Sequence, residues 1–209
     1  LGIATVGELE YAARENRLID LPGFGRKSQE KILEGIAALK HYRERRLYIE
    51  AIDEARSLRQ ILLDRRDVTA AAIAGSLRRG CETVKDIDLL AATGNPRALA
   101  DVFASLPAAA AVIARGDTKV SITLASGINA DLRIVSPREY PYALHHFTGS
   151  REHNTALRGR ARRYGLKMNE YGLFRGEENL PCNGEEEIFA ALALAYIPPE
   201  LRENLGEIE

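Results

Sequence analysis

The chain has 209 residues, of which 45% are hydrophobic and 28% charged, so it is long enough for one large core or for a few small subdomains. No apolar run reaches membrane-spanning length, so no membrane-spanning helix is expected, and Cys81 and Cys182 fit no metal-binding or redox spacing. The net charge of −1 gives no sign of nucleic-acid binding, but it hides a basic stretch at residues 151–167 and an acidic one at residues 185–209.

The segregated charge suits a protein that meets a polyanion on one face. We expect both cysteines to be free thiols in a reducing compartment. Because the chain begins with Leu1 instead of methionine, we expect it to be a piece of a longer protein.

Residues 6–48 are predicted to form helices that are interrupted at residues 21–25, Leu-Pro-Gly-Phe-Gly. We interpret this stretch as a helix–hairpin–helix, in which Gly23 and Gly25 expose backbone amides that bind a DNA phosphate together with the start of the next helix. Such binding does not read the base sequence. Arg26 and Lys27 favour DNA binding over the alternative, a plain Pro-Gly turn between two packed helices.

A further helix is predicted for residues 46–63, after which the hydrophobic pattern changes to period two. The predicted elements that follow are strands at 69–74 and 86–92, a helix at 95–105, a hairpin of strands 119–124 and 130–135, and helices at 151–164 and 185–195. Helices, then a sheet, then helices predict an α+β chain in three parts.

Three aspartates occupy strand positions where that residue is uncommon. Asp86 and Asp88 are two residues apart, so both side chains leave the same face of their strand, about 6–7 Å apart along the backbone. The same alternation directs Asp131 outward from the later strand. If the two strands are neighbours, three carboxylates converge, and their mutual repulsion requires cations. Oxygen ligands of this kind select Mg²⁺ or Mn²⁺ over zinc.

For a single aspartate, a place on the solvated face of a sheet is the simpler interpretation. Three aspartates on the same face of neighbouring strands favour a metal site instead. The preceding turn, residues 75–80, supports this interpretation because it ends six residues before the second strand begins. There Gly75 allows backbone amides to approach an anion, Ser76 can donate to a phosphate oxygen, and Arg79 can donate to a pair of phosphate oxygens. A solvated basic turn is the alternative.

Together these segments resemble the X family of DNA polymerases over nearly the whole chain. The resemblance is carried by Gly75-Ser76-Leu77-Arg78-Arg79-Gly80, Asp86-Ile87-Asp88, Ala130-Asp131-Leu132-Arg133, Phe147-Thr148-Gly149-Ser150, Asn154, Arg158 and Asn169-Glu170-Tyr171. The Phe-Thr-Gly-Ser block narrows the likeness from nucleotidyltransferases in general to family X, and the helix–hairpin–helix resembles the bacterial branch.

The resemblance implies a nucleotidyltransferase-type palm with a mixed or antiparallel sheet at residues 51–140. A helix–hairpin–helix DNA-binding subdomain at residues 1–50 would precede it, and a small nucleotide-selecting α+β subdomain at residues 141–209 would follow. Neither a lyase domain nor a phosphoesterase domain is expected in this sequence, so lyase and exonuclease activities are not assigned.

The resemblance also implies residue roles. Asp86 and Asp88 would hold both of two Mg²⁺ or Mn²⁺ ions, and Asp131 would bind the catalytic ion and help to deprotonate the primer 3′-hydroxyl. The incoming nucleotide would be bound by Gly75, Ser76, Arg79, Phe147, Gly149 and Asn154. DNA would be bound by Gly23, Gly25, Arg26, Lys27, Arg133 and Arg158.

The expected activity is DNA-directed DNA synthesis on primer-template or gapped DNA from a deoxynucleoside triphosphate, in short gap filling during base excision repair. We expect a monomer in the bacterial cytoplasm, associated with the nucleoid and not with a membrane. Two alternatives remain open. A nucleotidyltransferase for RNA ends or small molecules would prefer another acceptor, and a non-catalytic DNA-binding fragment would bind DNA without incorporating nucleotides.

Overall fold

The computed structural model describes the backbone of residues 1–43 and 45–209 and the side chains of residues 1–37 and 45–209. Within these ranges the chain forms two compact units, Leu1–Arg45 and Arg46–Glu209. The smaller unit contains α1 (Val6–Arg14) and α2 (Arg26–Arg43). Thr5 begins α1 with a capping box, in which its hydroxyl accepts from the Glu8 N–H at 3.2 Å and the Glu8 carboxylate accepts from the Thr5 N–H. Ala12, Ala13 and Leu18 form the small core of this unit.

The first part of the larger unit contains a mixed five-stranded sheet. The elements of this part are β1 (Arg46–Leu47), α3 (Tyr48–Leu63), β2 (Val68–Ile73), α4 (Gly75–Arg78), β3 (Thr83–Val84), β4 (Asp86–Thr93), α5 (Pro96–Ala104), β5 (Ala109–Arg115), β6 (Lys119–Leu124) and β7 (Asn129–Val135). β1 and β3 pair with each other, and the other five strands form the sheet. The strand order is β2-β4-β7-β6-β5, with β4 and β7 parallel and the other pairs antiparallel. Alternate residues such as Ile87, Leu89, Leu132 and Ile134 point into a core shared with α3 and α5.

A second core lies in the last third of the chain. Its elements are α6 (Tyr140–Thr148), α7 (Arg151–Arg163), β8 (Lys167–Asn169), β9 (Gly172–Arg175), β10 (Glu178–Leu180), α8 (Glu185–Ala191) and a 3₁₀ turn at Pro199–Leu201. Tyr142, Leu157, Leu173 and Phe189 are among its buried side chains. The three strands form a separate antiparallel sheet.

The α+β class with a mixed sheet is confirmed, as is the 119–135 hairpin. Several boundaries differ from the prediction, among them that of α1, which ends at Arg14 instead of running to residue 20. The helix expected from residue 46 begins at Tyr48 because residues 46–47 pair with β3, the turn after residue 74 is a single helical turn, and the last helix ends at Ala191. β5 was not predicted. None of the helices in the described ranges combines the length and hydrophobicity needed to cross a bilayer.

Candidate active site

The parallel pairing of β4 and β7 brings the three aspartates to one face of the sheet. Asp88 of β4 lies directly opposite Asp131 of β7. Two residues earlier along both strands, and so on the same face, Asp86 lies opposite Asn129. Ile87, between the two β4 aspartates, is fully buried on the other face. The condition that the sequence left open, that the two aspartate-bearing strands are neighbours, is therefore met.

Burial and mutual repulsion raise the pKa values of the two β4 carboxyls. The pKa of Asp88 rises from 3.8 to about 7, because burial disfavours its charged form and the charges of Asp86 and Asp131 add to the effect. Burial also raises the pKa of Asp86, with a further contribution from the Asp131 charge. Such a group of carboxylates gains stability when cations share its charge.

The donor chemistry of this patch fits a hard divalent cation, because all three side chains offer carboxylate oxygens. In the part of the chain that the structure describes, however, no three His, Cys, Asp or Glu side chains are close enough together to form a metal-binding group. Asp131 is turned toward β6, where its Oδ2 lies 2.7 Å from Lys119 Nζ. Lys119 supplies the positive charge at Asp131 in this conformation.

The glycine turn before β4 lies against the Asp88 side chain. Gly75 begins α4 with a φ of +59°, and a β-carbon at this position would overlap the Asp88 carboxylate. The Ala74 N–H donates to the Asp88 carbonyl at 2.8 Å, which fixes the turn to β4. Gly75 thus satisfies two demands at once, a left-handed backbone and a close approach to a carboxylate. The half-buried Ser76 follows it in α4.

Two consecutive arginines at the end of this turn hold Thr148. Arg78 Nη1 donates to Thr148 Oγ1, and Arg79 Nη1 donates to the Thr148 carbonyl, both at 2.6 Å. Arg78 also donates to Glu185 at 2.5 Å, and Arg79 Nε donates to Glu203 Oε1 at 2.7 Å. The sequence indicated Arg79 as a phosphate contact but gave no sign that Thr148 and Glu203 bind it or that Glu185 pairs with Arg78.

The Phe147–Ser150 turn (residues 147–150) brings further candidate residues together. Phe147 lies beside Arg133 of β7, with the guanidinium carbon 4.9 Å from the ring centroid. Gly149 has a φ of +73°. Ser150 caps α7 by accepting from the His153 N–H at 3.2 Å.

One helical face of α7 carries Asn154 and Arg158. Asn154 Nδ2 donates to the His146 carbonyl at 2.7 Å, so this buried amide supports the end of α6. Arg158 is half-buried and donates to Thr155 Oγ1 at 3.5 Å. The two side chains therefore line the same small recess, together with His146 and Asn169.

The smaller unit contains the four other candidate DNA contacts. Gly23 is exposed and has a φ of +82°, and the Phe24 N–H donates to the Leu21 carbonyl at 3.0 Å to close the turn. Arg26 and Lys27 are exposed in the first turn of α2. Gly25 precedes α2 and accepts from Gln29 N–H at 3.0 Å. Two cations and the glycine turn thus lie at one helix start.

Comparison with known proteins agrees with this architecture. The family model "DNA polymerase beta thumb" matches residues 143–203. DNA polymerase/3′-5′ exonuclease PolX of Bacillus subtilis is 38% identical across the whole chain, and the chain spans 37% of that protein's length. Repair DNA polymerase X of African swine fever virus is 28% identical over 61% of the chain and 78% of the viral protein.

A solved structure shows the same fold. The Leishmania infantum polymerase beta structure, described as a ternary primer-template complex, superimposes with a TM-score of 0.65 and 23% identity, covering 97% of this chain and 89% of that one. At this level of identity the likeness establishes the fold alone.

Proposed function

Because the chain belongs to the family X DNA polymerases, we propose that it is a polymerase core that adds a deoxynucleotide to a primer 3′-hydroxyl. The observation that carries this proposal is the register of Asp88 opposite Asp131, with Gly75 against the Asp88 carboxylate. This arrangement places a candidate anion-binding turn beside three candidate metal ligands. Nucleotidyl transfer from a triphosphate needs both.

Asp86 and Asp88 would hold both divalent ions, Mg²⁺ or Mn²⁺, and Asp131 would hold the one at the primer terminus. Ions held there would supply positive charge that lowers the pKa of the 3′-hydroxyl and neutralises charge on the triphosphate and the leaving pyrophosphate. Asp131 accepts the hydroxyl proton. The 3′-oxygen then bonds to the α-phosphorus of the nucleotide as the bond between that phosphorus and the pyrophosphate oxygen breaks.

The Gly75–Arg78 turn and the residue after it bind the triphosphate. Gly75 exposes backbone, Ser76 donates its hydroxyl, and Arg79 donates from its guanidinium. Phe147 and Gly149 pack against the sugar of the incoming nucleotide, and Asn154 contacts the nascent base pair. The contact of Asn154 with the His146 carbonyl supports this role, since it fixes the amide beside the Phe147–Ser150 turn.

DNA is bound by both compact units. In the subdomain at residues 1–50, Gly23, Gly25, Arg26 and Lys27 bind a backbone phosphate at the start of α2. Arg133 lies in the palm at residues 51–140, and Arg158 lies in the nucleotide-selecting subdomain at residues 141–209. Both contact the template strand. Phosphate and minor-groove contacts of this kind leave binding independent of sequence.

We further propose that the substrate in the cell is a short gap made during base excision repair. The protein acts as a monomer in the bacterial cytoplasm near the nucleoid. A basic α7 in the larger unit and an exposed basic helix start in the smaller unit each support binding to DNA. The free thiols Cys81 and Cys182 suit a reducing compartment.

The direct test is primer extension on gapped DNA with Mg²⁺ or Mn²⁺. The wild-type chain is expected to fill the gap, and Asp131→Asn to lose at least about a hundredfold in rate. Asp117→Asn is the matched control, because Asp117 is exposed in the β5–β6 turn and should leave the rate unchanged. Normal extension by Asp131→Asn would refute the proposed site, and binding of DNA without incorporation would identify a non-catalytic fragment.

A further inference from the structure

Residues 198–209, here called the C-terminal segment, run beside the Phe147–Ser150 turn. The Ser150 N–H donates to the Arg202 carbonyl at 3.0 Å. The fully buried Arg202 side chain fixes this segment, since its Nε donates to the Ile197 carbonyl at 2.9 Å and its Nη1 donates to Glu185 at 2.5 Å. Glu203 follows Arg202 directly and so projects from a rigid backbone.

Glu203 holds one edge of the Arg79 guanidinium. Its Oε1 accepts from Arg79 Nε at 2.7 Å, while the Thr148 carbonyl accepts from Arg79 Nη1 at 2.6 Å. The Arg79 side chain is only 14% exposed, and Nη1 would lie 3.1 Å from a β-carbon at Gly149. The guanidinium is therefore fixed in orientation by groups from two separate parts of the chain.

The neighbouring Arg78 provides a contrast. Both of its terminal nitrogens are engaged, Nη1 by Thr148 Oγ1 at 2.6 Å and Nη2 by Glu185 at 2.5 Å. Arg79 Nη2, in comparison, has the Cys81 sulfur at 3.8 Å, which is a weak acceptor. A guanidinium has five N–H donors, so the anchored Arg79 keeps donors on its Nη edge for a further acceptor.

We propose that Glu203 is a positioning residue for triphosphate binding, which presents the Nη edge of Arg79 to the incoming nucleotide. This inference rests on the proposed role of Arg79 as a triphosphate contact. A carboxylate on the Nε edge and a phosphate on the Nη edge can be bound by one guanidinium at the same time. Fixing the side chain beforehand reduces the entropy that nucleotide binding would otherwise cost.

The negative charge of Glu203 also weakens the local attraction for a triphosphate, so charge and geometry act in opposite directions. Glutamine keeps an oxygen that accepts from Arg79 Nε but has no charge. Alanine removes the acceptor altogether. If positioning dominates, Glu203→Ala weakens binding and Glu203→Gln restores it.

The test is calorimetric titration of dATP, with Mg²⁺, into the chain bound to gapped DNA that has a templating thymine and a dideoxy-terminated primer. The blocked primer prevents reaction, so the titration reports binding alone. We expect dATP affinity about tenfold lower for Glu203→Ala and within about threefold of wild type for Glu203→Gln. In an Arg79→Ala background, Glu203→Ala should have no further effect. Glu200→Ala is the matched control, since Glu200 is an exposed carboxylate in the same segment.

Wild-type affinity of Glu203→Ala, an equal loss in the Arg79→Ala background, or failure of glutamine to restore binding would each overturn the inference. Absence of dATP binding by the wild-type chain would also overturn it. If the wild-type chain binds dATP and the variants behave as expected, but an unblocked primer is not extended, the proposed polymerase activity fails while the role of Glu203 stands.

Discussion

The buried Arg202 guanidinium and the buried Glu185 carboxylate form an ion pair with a 2.5 Å separation between Nη1 and Oε1. The other carboxylate oxygen of Glu185 accepts from Arg78, again at 2.5 Å. These two arginines lower the pKa of Glu185 although burial alone would raise it. The Glu185 carboxylate thereby joins the Gly75–Arg78 turn to the second core.

Glu185→Gln is expected to lower the free energy of unfolding by about 3 kcal/mol, because two arginines would keep their buried charge without a counter-ion. Urea denaturation monitored by circular dichroism measures this change. Glu186→Gln on the same helical turn is the control, since Glu186 is exposed and should change stability by no more than about 0.5 kcal/mol. Equal effects of the two variants would contradict the prediction.

Asp88 is expected to make the metal-free chain less stable as the pH rises. Its folded pKa of about 7 lies above the value of 3.8 for an unperturbed group, so the folded chain binds this proton more tightly. Stability is therefore full below about pH 4 and is lost progressively up to about pH 7. In EDTA at about pH 8, Asp88→Asn should be about 2 kcal/mol more stable than wild type.

Thermal melts across this pH range check the prediction, with Asp117→Asn as a variant that should follow wild type throughout. Added Mg²⁺ should raise the melting temperature of the wild-type chain more than that of Asp88→Asn, because only wild type keeps all three carboxylates. A constant difference between Asp88→Asn and wild type at all pH values would rule out the titration of Asp88 as its cause.

Gly75→Ala and Gly159→Ala are expected to act in opposite directions. At residue 75 the φ of +59° and the nearby Asp88 carboxylate leave no room for a methyl group, so the variant should lose about 1–2 kcal/mol of stability and at least about tenfold in primer extension. At residue 159, inside α7, a β-carbon meets nothing within 4 Å, and alanine should stabilise the helix by about 0.5–1 kcal/mol. Denaturant melts and a primer-extension assay distinguish the pair.

His145 is expected to make the second core sensitive to acid. The ring is fully buried, and neither of its nitrogens has a hydrogen-bond partner in the described part of the chain. Burial lowers the pKa of His145 well below 6.5, and the Arg202 charge adds to this effect. Because the unfolded chain binds the proton more readily, stability falls as the pH drops below about 6.5.

The loss attributable to His145 should reach about 1.4 kcal/mol for each pH unit below that value. His145→Leu, which removes the titrating group at a similar side-chain volume, should show a flatter fall in melting temperature between about pH 7 and pH 5. Parallel curves for the variant and wild type would show that another group causes the acid sensitivity.

Lys27→Ala is expected to weaken binding of DNA of any sequence and to reduce the slope of log affinity against log salt concentration by about 1. Lys27 is exposed in the first turn of α2, beside the glycine turn. Lys31→Ala changes an exposed lysine further along the same helix and should leave the salt slope unchanged. Fluorescence anisotropy with a labelled gapped duplex at several salt concentrations makes the measurement.

Most of the secondary structure could be predicted from the sequence, because the spacing of hydrophobic residues and the identity of turn residues are local features. The alternation in β4 and β7 fixes which side chains share a face, and Gly127, with a φ of +85°, accounts for the hairpin that joins β6 to β7. β5 was missed because its first three residues are alanines, which are uncommon in strands. It is a strand because it pairs with β6, which the local sequence does not show.

By itself the sequence determined that Asp86 and Asp88 share a face, that Asp131 leaves its own strand on the solvent side, and that a glycine turn precedes the first pair. The tertiary structure decided that β4 and β7 are parallel neighbours, that Asp131 meets Lys119, and that Arg79 meets Glu203 from 124 residues away. Face and turn follow from the backbone geometry of a few adjacent residues, whereas strand order and ion pairing depend on how distant segments close around a common core.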